Sequence, residues 1–282
     1  MGRLFTYEEI TTGKVPSSED FAEAKDTFLA AASAEIYKGT ITGAFIYGSV
    51  ALGLANKRSD FDTFIALDDE KGSYHIAREL VQKINNDKIP LGSIVQTNAN
   101  LISAHHEMDR YFGAHLKSTD RAVVGKDPAD SIVFAPYPAS EIMASYLAQK
   151  KRRLINAFVT AGPLEIHEGG LQRMLELPVA VGRKALQALQ ETGHIDEAVE
   201  KTADKQQVIR SFMPLMEEIN LTDHTERLIG MNSLYNMMLD EALDGGSEDE
   251  YNTGLTIIHS YLPKAIEWVE KIEDSLLPEL AA

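Results

Sequence analysis

Apolar residues recur at helical spacing in the first strongly patterned stretch of the chain. In EDFAEAKDTFLAAASAEIY, residues 19–37, Phe21, Ala24 and Phe28 fall on one side of a helix. Ser17 precedes this stretch and acidic residues open it, which is typical of a helix N-terminus. The pattern therefore predicts a long amphipathic helix near the start of the chain.

Short apolar runs rich in β-branched and aromatic residues follow, and they predict strands. These runs are ITGAFIYGS (41–49), FDTFIALDD (61–69), LGSIVQTNANL (91–101) and AVVGKDP (122–128). VALGLA (50–55) predicts a short helix before the polar turn NKRSD (56–60), and a helical pattern covers about 74–85. Residues 1–136 are therefore predicted to form an α/β domain, a small mixed sheet flanked by helices.

The apolar spacing is helical almost throughout residues 137–282, after a proline-containing break. Four or five helices of this kind predict a C-terminal α-helical bundle domain. We expect Pro178, Pro214 and Pro263 to kink or restart helices, and DGGSEDE (244–250) to be a flexible connection.

Composition narrows the classes of function. The chain has 27 basic and 43 acidic residues and a net charge of −16, which argues against extended binding to nucleic-acid phosphates. The absence of cysteine excludes disulfides, thiolate zinc sites and a cysteine nucleophile. The N-terminus has no apolar signal core, and no apolar run approaches the length of a membrane span. We therefore expect a cytoplasmic protein that does not bind membranes.

Two aspartates interrupt the second apolar run. Alternate residues of a strand share a face, so Asp60 and Asp62 should project side by side. Two such carboxylates raise each other's proton affinity unless a cation lies between them, and Mg²⁺ commonly binds one or two carboxylates together with substrate phosphates. Gly48 allows a close approach of the backbone to a ligand, and Ser49 offers a hydroxyl and an amide to a phosphate oxygen. The pattern therefore predicts a site for a nucleoside triphosphate.

The string GSVALGLANKRSDFD (48–62) resembles the signature of the DNA polymerase beta-type nucleotidyltransferase superfamily, with Gly-Ser, ten intervening residues and Asp-x-Asp. It is similar to that of the small members, the aminoglycoside nucleotidyltransferases and the minimal nucleotidyltransferases. The resemblance implies that Asp60 and Asp62 hold two Mg²⁺ ions, one on the triphosphate and one on the acceptor hydroxyl. It implies that Gly48 and Ser49 hold the β- and γ-phosphates.

Other residues near this motif are weaker candidates for nucleotide binding. Ser59 lies just before the aspartates, and Lys57 and Arg58 lie in the loop, where charges are usually only solvated. A non-functional alternative is that Ser59 and Asp60 close a turn, with Asp62 on an exposed strand face.

Active members of the superfamily usually carry a third carboxylate on the following strand, where this chain has no acid. Gln96 stands at the position we assign to it, and an amide neither supplies charge nor accepts a proton as a base. Substitutes for the missing acid would come from acidic residues near the strands or from a glutamate of the helical domain. These candidates are Asp68, Asp69, Glu107, Asp109, Glu141, Glu165 and Glu168.

The predicted function is transfer of a nucleoside monophosphate, for example from ATP, to a hydroxyl of a small acceptor. An acidic helical domain would favour a cationic, aminoglycoside-like acceptor and would close over the site. Alternatives are a catalytically silent, antitoxin-like nucleotide-binding module and nucleotidylation of a protein or tRNA end. The sequence also leaves open whether the protein is a homodimer in which two copies complete one pocket. KKRRL (150–154) is a basic cluster that would meet a phosphate or an RNA end, although a solvated helix face is the simpler interpretation.

Overall fold

A computed structural model describes the protein at residues 3–68, 74–84, 88–98, 111, 122–127, 129, 137–166, 170–195 and 205–281, with only the backbone for 93–98. Three of the acids considered near the strands, Asp69, Glu107 and Asp109, lie outside the described residues, and so does Glu168. In the part of the chain that is described, no helix is both long and apolar enough to cross a membrane.

The first half of the chain alternates helices and strands, as the sequence predicted. Its elements are α1 (Tyr7–Thr11), α2 (Ser18–Lys38), β1 (Ile41–Tyr47), α3 (Gly48–Ala51), β2 (Phe61–Leu67), α4 (Tyr74–Ile84), β3 (Leu91–Asn98) and β4 (Ala122–Gly125). Ser17 caps α2 by accepting a hydrogen bond from the backbone N–H of Asp20, whose side chain accepts from the backbone of Ser17 in return. The short helix α3 begins at Gly48, two residues earlier than predicted.

The four strands form one mixed sheet in the order β3-β2-β1-β4. β1 pairs antiparallel with β2 and with β4, whereas β2 pairs parallel with β3. The predicted small mixed sheet is therefore confirmed, with β2 in its interior.

Helices α2 and α4 pack on one face of this sheet. Phe28 of α2 meets Phe61 of β2 edge to face, with ring centroids 5.7 Å apart. Ile65 and Leu67 of β2 belong to the same buried cluster, together with Leu80 of α4. Because side chains alternate along a strand, the odd-numbered residues of β2 build this core and the even-numbered residues point to the opposite face.

Every regular element among the described residues of the second half is a helix, which confirms the predicted bundle class, although seven helices are described where four or five were predicted. Its helices are α5 (Ala139–Thr160), α6 (Leu171–Leu175), α7 (Leu177–Glu191), α8 (Lys205–Glu218), α9 (Thr222–Leu243), α10 (Glu248–His259) and α11 (Leu262–Ala281).

Prolines and caps explain where these helices break. Pro178 lies in the first turn of α7, and α11 likewise begins just before Pro263, so both prolines restart a helix as expected. Pro214 lies inside α8 and does not end it. The predicted connection 244–250 is shorter than expected, because the hydroxyl of Ser247 accepts a hydrogen bond from the N–H of Glu250 and caps α10.

The chain divides into two compact units, one of residues 1–3 and 13–136 and one of residues 4–12 and 137–282. The helical unit therefore includes α1, which the sequence did not indicate. The backbone N–H of Phe5 donates to the hydroxyl of Tyr235 at 2.8 Å, and the hydroxyl of Tyr251 donates to the carbonyl of Phe5 at 2.6 Å. These buried bonds tie the N-terminal segment to α9 and α10.

Candidate active site

The carboxylates of Asp60 and Asp62 converge beside Gly92 at the start of β3. A Cβ atom built on Gly92 would overlap an oxygen of Asp62 and would lie 2.7 Å from an oxygen of Asp60. Both aspartates are half-buried, on the face of the sheet opposite to the α2 and α4 core. The missing side chain of Gly92 thus provides the space that the two carboxylates occupy.

Gly48 borders the same carboxylate from the other neighbouring strand. Tyr47 is in register with Asp62 across the β1–β2 pair, and the chain turns into α3 directly after it. Gly48 has a φ of 72°, in the left-handed region that glycine adopts without a steric penalty. A Cβ atom at Gly48 would lie 3.0 Å from an oxygen of Asp62, so the glycine brings the backbone close to this acid.

Ser49 and Ser59 are joined by a hydrogen bond. The hydroxyl of Ser49 donates to the hydroxyl of Ser59 at 3.1 Å, and the backbone N–H of Asn56 donates to the same Ser59 oxygen at 2.9 Å. The loop before the aspartates is therefore tied to the first turn of α3. The Gly-Ser pair and the paired aspartates, with ten residues between them in sequence, are therefore close to each other in the structure.

The two loop cations differ in their environments. Arg58 is buried, and its Nε donates to the carbonyl of Arg3 at 3.4 Å, while the N–H of Arg3 donates to the carbonyl of Arg58 at 2.8 Å. Lys57 is half-buried. Arg58 is thus not the solvated turn residue of the simpler interpretation. A phosphate role for either cation stays a prediction.

The sequence segment that contains the Gly-Ser pair and the two aspartates matches a known protein family. Residues 29–105 match the family described as a nucleotidyltransferase domain. They form such a domain, of the DNA polymerase beta-type superfamily. The match includes the Gly-Ser pair, both aspartates and all of β3. No curated protein matches the chain, so the likeness to aminoglycoside or minimal nucleotidyltransferases stays a prediction.

The third strand of the nucleotidyltransferase domain presents glycine, not acid, to the aspartates. Phe61 is in register with Leu91 and Thr63 with Ile94, so an irregularity in β3 lies opposite Asp62, where Gly92 is found. Gln96, which we expected in the third-carboxylate position, is in register with Ile65. Sequence reasoning missed Gly92, although a glycine inside a strand signals a close approach of other groups.

The donor set fits a hard divalent cation. The two carboxylates supply oxygen ligands and negative charge at one point, and Mg²⁺ commonly binds through one or two carboxylates with substrate phosphates completing its shell. Among the described residues, no group of three or more acidic or histidine side chains forms a metal site. Of the described residues, these two carboxylates could hold such an ion, and substrate and water could supply further ligands.

Proposed function

We propose that the protein transfers a nucleoside monophosphate from a nucleoside triphosphate, such as ATP, to a hydroxyl group of a small acceptor. The observation that carries this proposal is the convergence of Asp60 and Asp62 on the space left by Gly92. Two carboxylates that converge on one space supply the oxygen ligands and the negative charge that suit a bound divalent cation. The nucleotidyltransferase match over residues 29–105 supports the same general chemistry.

In this proposal the aspartates bind the metal and the Gly-Ser pair binds the phosphates. Asp60 and Asp62 would hold two Mg²⁺ ions, which supply positive charge to the phosphates and lower the pKa of the acceptor hydroxyl. Gly48 and Ser49 would hold the β- and γ-phosphates. The hydroxyl of Ser49 bonds Ser59 in the structure, so binding of a phosphate oxygen would exchange one partner for the other. Ser59 would then orient Ser49 when the nucleotide is absent.

The reaction exchanges one phosphorus–oxygen bond for another. The acceptor oxygen bonds the α-phosphorus, the bond between the α-phosphorus and its bridging oxygen breaks, and pyrophosphate leaves. The acceptor proton passes to a carboxylate or to water. The net charge of −16 supports the finer proposal that the acceptor is cationic.

A second candidate function is nucleotide binding without turnover. It is favoured by β3, in which the sequence LGSIVQTN contains no acidic residue and Gly92 is the neighbour of the aspartates. Active members usually carry their third carboxylate on this strand. A protein of this class would bind a nucleotide and Mg²⁺ and act through a partner.

Incubation with each α-labelled nucleoside triphosphate and Mg²⁺, with and without candidate acceptors, tests the proposal. We expect labelled acceptor and pyrophosphate from the wild-type protein and neither product from an Asp60→Asn, Asp62→Asn double variant. Asp26→Asn is the matched control, because Asp26 is exposed on α2. Binding of nucleotide with no turnover for any acceptor would favour the second candidate, and absence of nucleotide binding would contradict both.

A further inference from the structure

The basic run KKRR at 150–153 is divided among different environments by the geometry of α5. Lys150 is only 6% exposed, whereas Arg152 is exposed. Lys151 bonds Glu273 of α11 at 2.6 Å. The run is therefore not a uniformly solvated helix face, which was the simpler interpretation of the sequence.

Lys150 faces an aromatic ring and other cations. Its ammonium nitrogen lies 4.9 Å from the centroid of the Tyr146 ring, and that of Lys184 on α7 lies 4.4 Å from the same centroid. Burial, followed by the positive charges of Arg153, Lys184 and Arg173, lowers the pKa of Lys150 to about 8. Burial and the charge of Arg153 also lower the pKa of Arg173 on α6.

The name Tyr146 cluster is used below for four cations: two face the Tyr146 ring, Lys150 and Lys184, and two act on Lys150 through their charge, Arg153 and Arg173. Spacing explains its α5 members, since Tyr146, Lys150 and Arg153 are four and three residues apart and share one side of the helix. Three helices of one unit thus bring like charges together.

Among the described residues, Glu176 is a negatively charged residue that acts on Lys150. Glu176 acts on Lys150 in the opposite sense, raising its pKa, but one oxygen of Glu176 already accepts a hydrogen bond from Lys205 at 2.7 Å. Among the described residues, Lys150 makes no hydrogen bond or ion pair. A buried ammonium group without an anionic partner is costly, and a contact with one aromatic face offsets only part of that cost.

We propose that the Tyr146 cluster is a binding site for a phosphate group. A phosphate carries about two negative charges and several acceptor oxygens, which suit a site that presents guanidinium and ammonium groups together. The inference goes beyond the proposed function, because the cluster lies wholly within the helical unit and requires neither Asp60 nor Asp62. The phosphate would belong either to the nucleotide or to a phosphorylated second ligand.

Calorimetric titration of the full-length protein tests this site. The Asp60→Asn, Asp62→Asn variant is titrated with orthophosphate, pyrophosphate and tripolyphosphate in the presence of EDTA, so that the aspartate pair does not contribute. We expect binding that weakens as salt is raised, and a loss of about tenfold or more in affinity in Lys150→Met and in Lys184→Met. Lys151→Met is the matched control on the same helix, and its affinity should stay within about twofold, because Lys151 bonds Glu273 and lies outside the cluster.

Melting temperature gives a second readout. Pyrophosphate should raise the melting temperature of the parent protein but not that of Lys150→Met, while without ligand Lys150→Met should melt higher. Lys184→Met carries the test if the buried substitution prevents folding, since Lys184 is half-buried. Absence of phosphate binding at low salt, or equal binding by the parent and both cluster variants, would overturn the proposal. The transfer assay, in which Asp60 and Asp62 are intact, tests the proposed function separately, so failure of one proposal can be distinguished from failure of the other.

Metal-free ATP distinguishes the two sources of phosphate. Competition between ATP and pyrophosphate at the cluster would identify the nucleotide tail as the ligand. Binding of orthophosphate or pyrophosphate that ATP does not displace would identify a second, phosphorylated ligand. Either result supports the site, and each assigns it to a different reactant.

Discussion

Gly92 lies so close to Asp62 that a single methyl group on its Cα would overlap the carboxylate. The relationship joins two neighbouring parallel strands, and it makes an absent side chain part of the candidate active site. The same missing atom leaves room for Asp60. Activity should therefore depend on a residue that contributes no functional group.

Gly92→Ala should lower transfer activity by about 100-fold, because displacing catalytic groups by about 1 Å is enough for such a loss. The Mg²⁺ concentration that gives half-maximal activity should also be higher in this variant than in the wild-type protein. Steady-state pyrophosphate release at varied Mg²⁺ measures both effects. Gly230→Ala is the control: Gly230 is exposed within α9 with open space around it, so alanine should leave activity unchanged and raise stability by about 1 kcal/mol.

Gly48 and Gly53 form a matched pair for separating backbone strain from contact with Asp62. Both have left-handed backbones, with φ of 72° and 69°, but a Cβ atom at Gly53 would meet nothing within 4 Å. Alanine at either position should destabilise the fold by about 1–2 kcal/mol. Gly48→Ala alone should also lower activity, by about tenfold, because its Cβ would crowd Asp62. Equal activity in the two variants, measured beside urea unfolding, would contradict the role of Gly48.

Ser49 and Ser59 should differ in what their loss affects. Ser59→Ala removes the acceptor for the N–H of Asn56 and for Ser49, so it should lower the free energy of unfolding by about 1 kcal/mol. Ser49→Ala should leave stability nearly unchanged and weaken nucleotide binding. Urea unfolding and nucleotide titration of both variants check this division. A larger stability loss in Ser49→Ala than in Ser59→Ala would contradict it.

Lys150 should make stability rise with pH in the alkaline range. Its pKa is about 8 in the folded protein against 10.5 as the ordinary value, so between these values the unfolded chain binds more protons. Linkage then requires stability to increase from about pH 8 to 10.5, by about 3 kcal/mol for this group alone. Lys150→Met should lack this component, which appears as the difference between the two unfolding curves. Parallel curves for both proteins, or a gain confined to pH below 8, would contradict the prediction.

The sequence predicted much of the fold because the decisive signals are local. Strand runs, the Ser17 cap and the spacing of Asp60 from Gly48 lie within short segments, and periodicity identifies them. Gly92 escaped notice because its role depends on parallel pairing and on a register irregularity between β2 and β3. Neither property is encoded in a short window of sequence.

Two other features depend on contacts between distant segments. Helix α1 has five residues, too few for a periodic signal, and it is joined by Phe5 to Tyr235, 230 residues away. The run that contains Lys150 looks like a solvated face by composition. Its actual environment follows from packing of α6 and α7, which charge patterning alone does not give.

Because residues 4–12 belong to the helical unit, the unit that contains the nucleotidyltransferase domain is inserted into the sequence of the helical unit. The helical unit is interrupted after Thr12 and resumes at Tyr137, and residues 1–3 belong to the other unit, so the chain passes between the units three times. A fragment cut at residue 137 would lack Phe5 and leave the hydroxyl groups of Tyr235 and Tyr251 without that partner. Simple truncation would therefore not yield a contiguous helical unit. A circular permutation that joins residues 4–12 to the C-terminal end of the chain would do so.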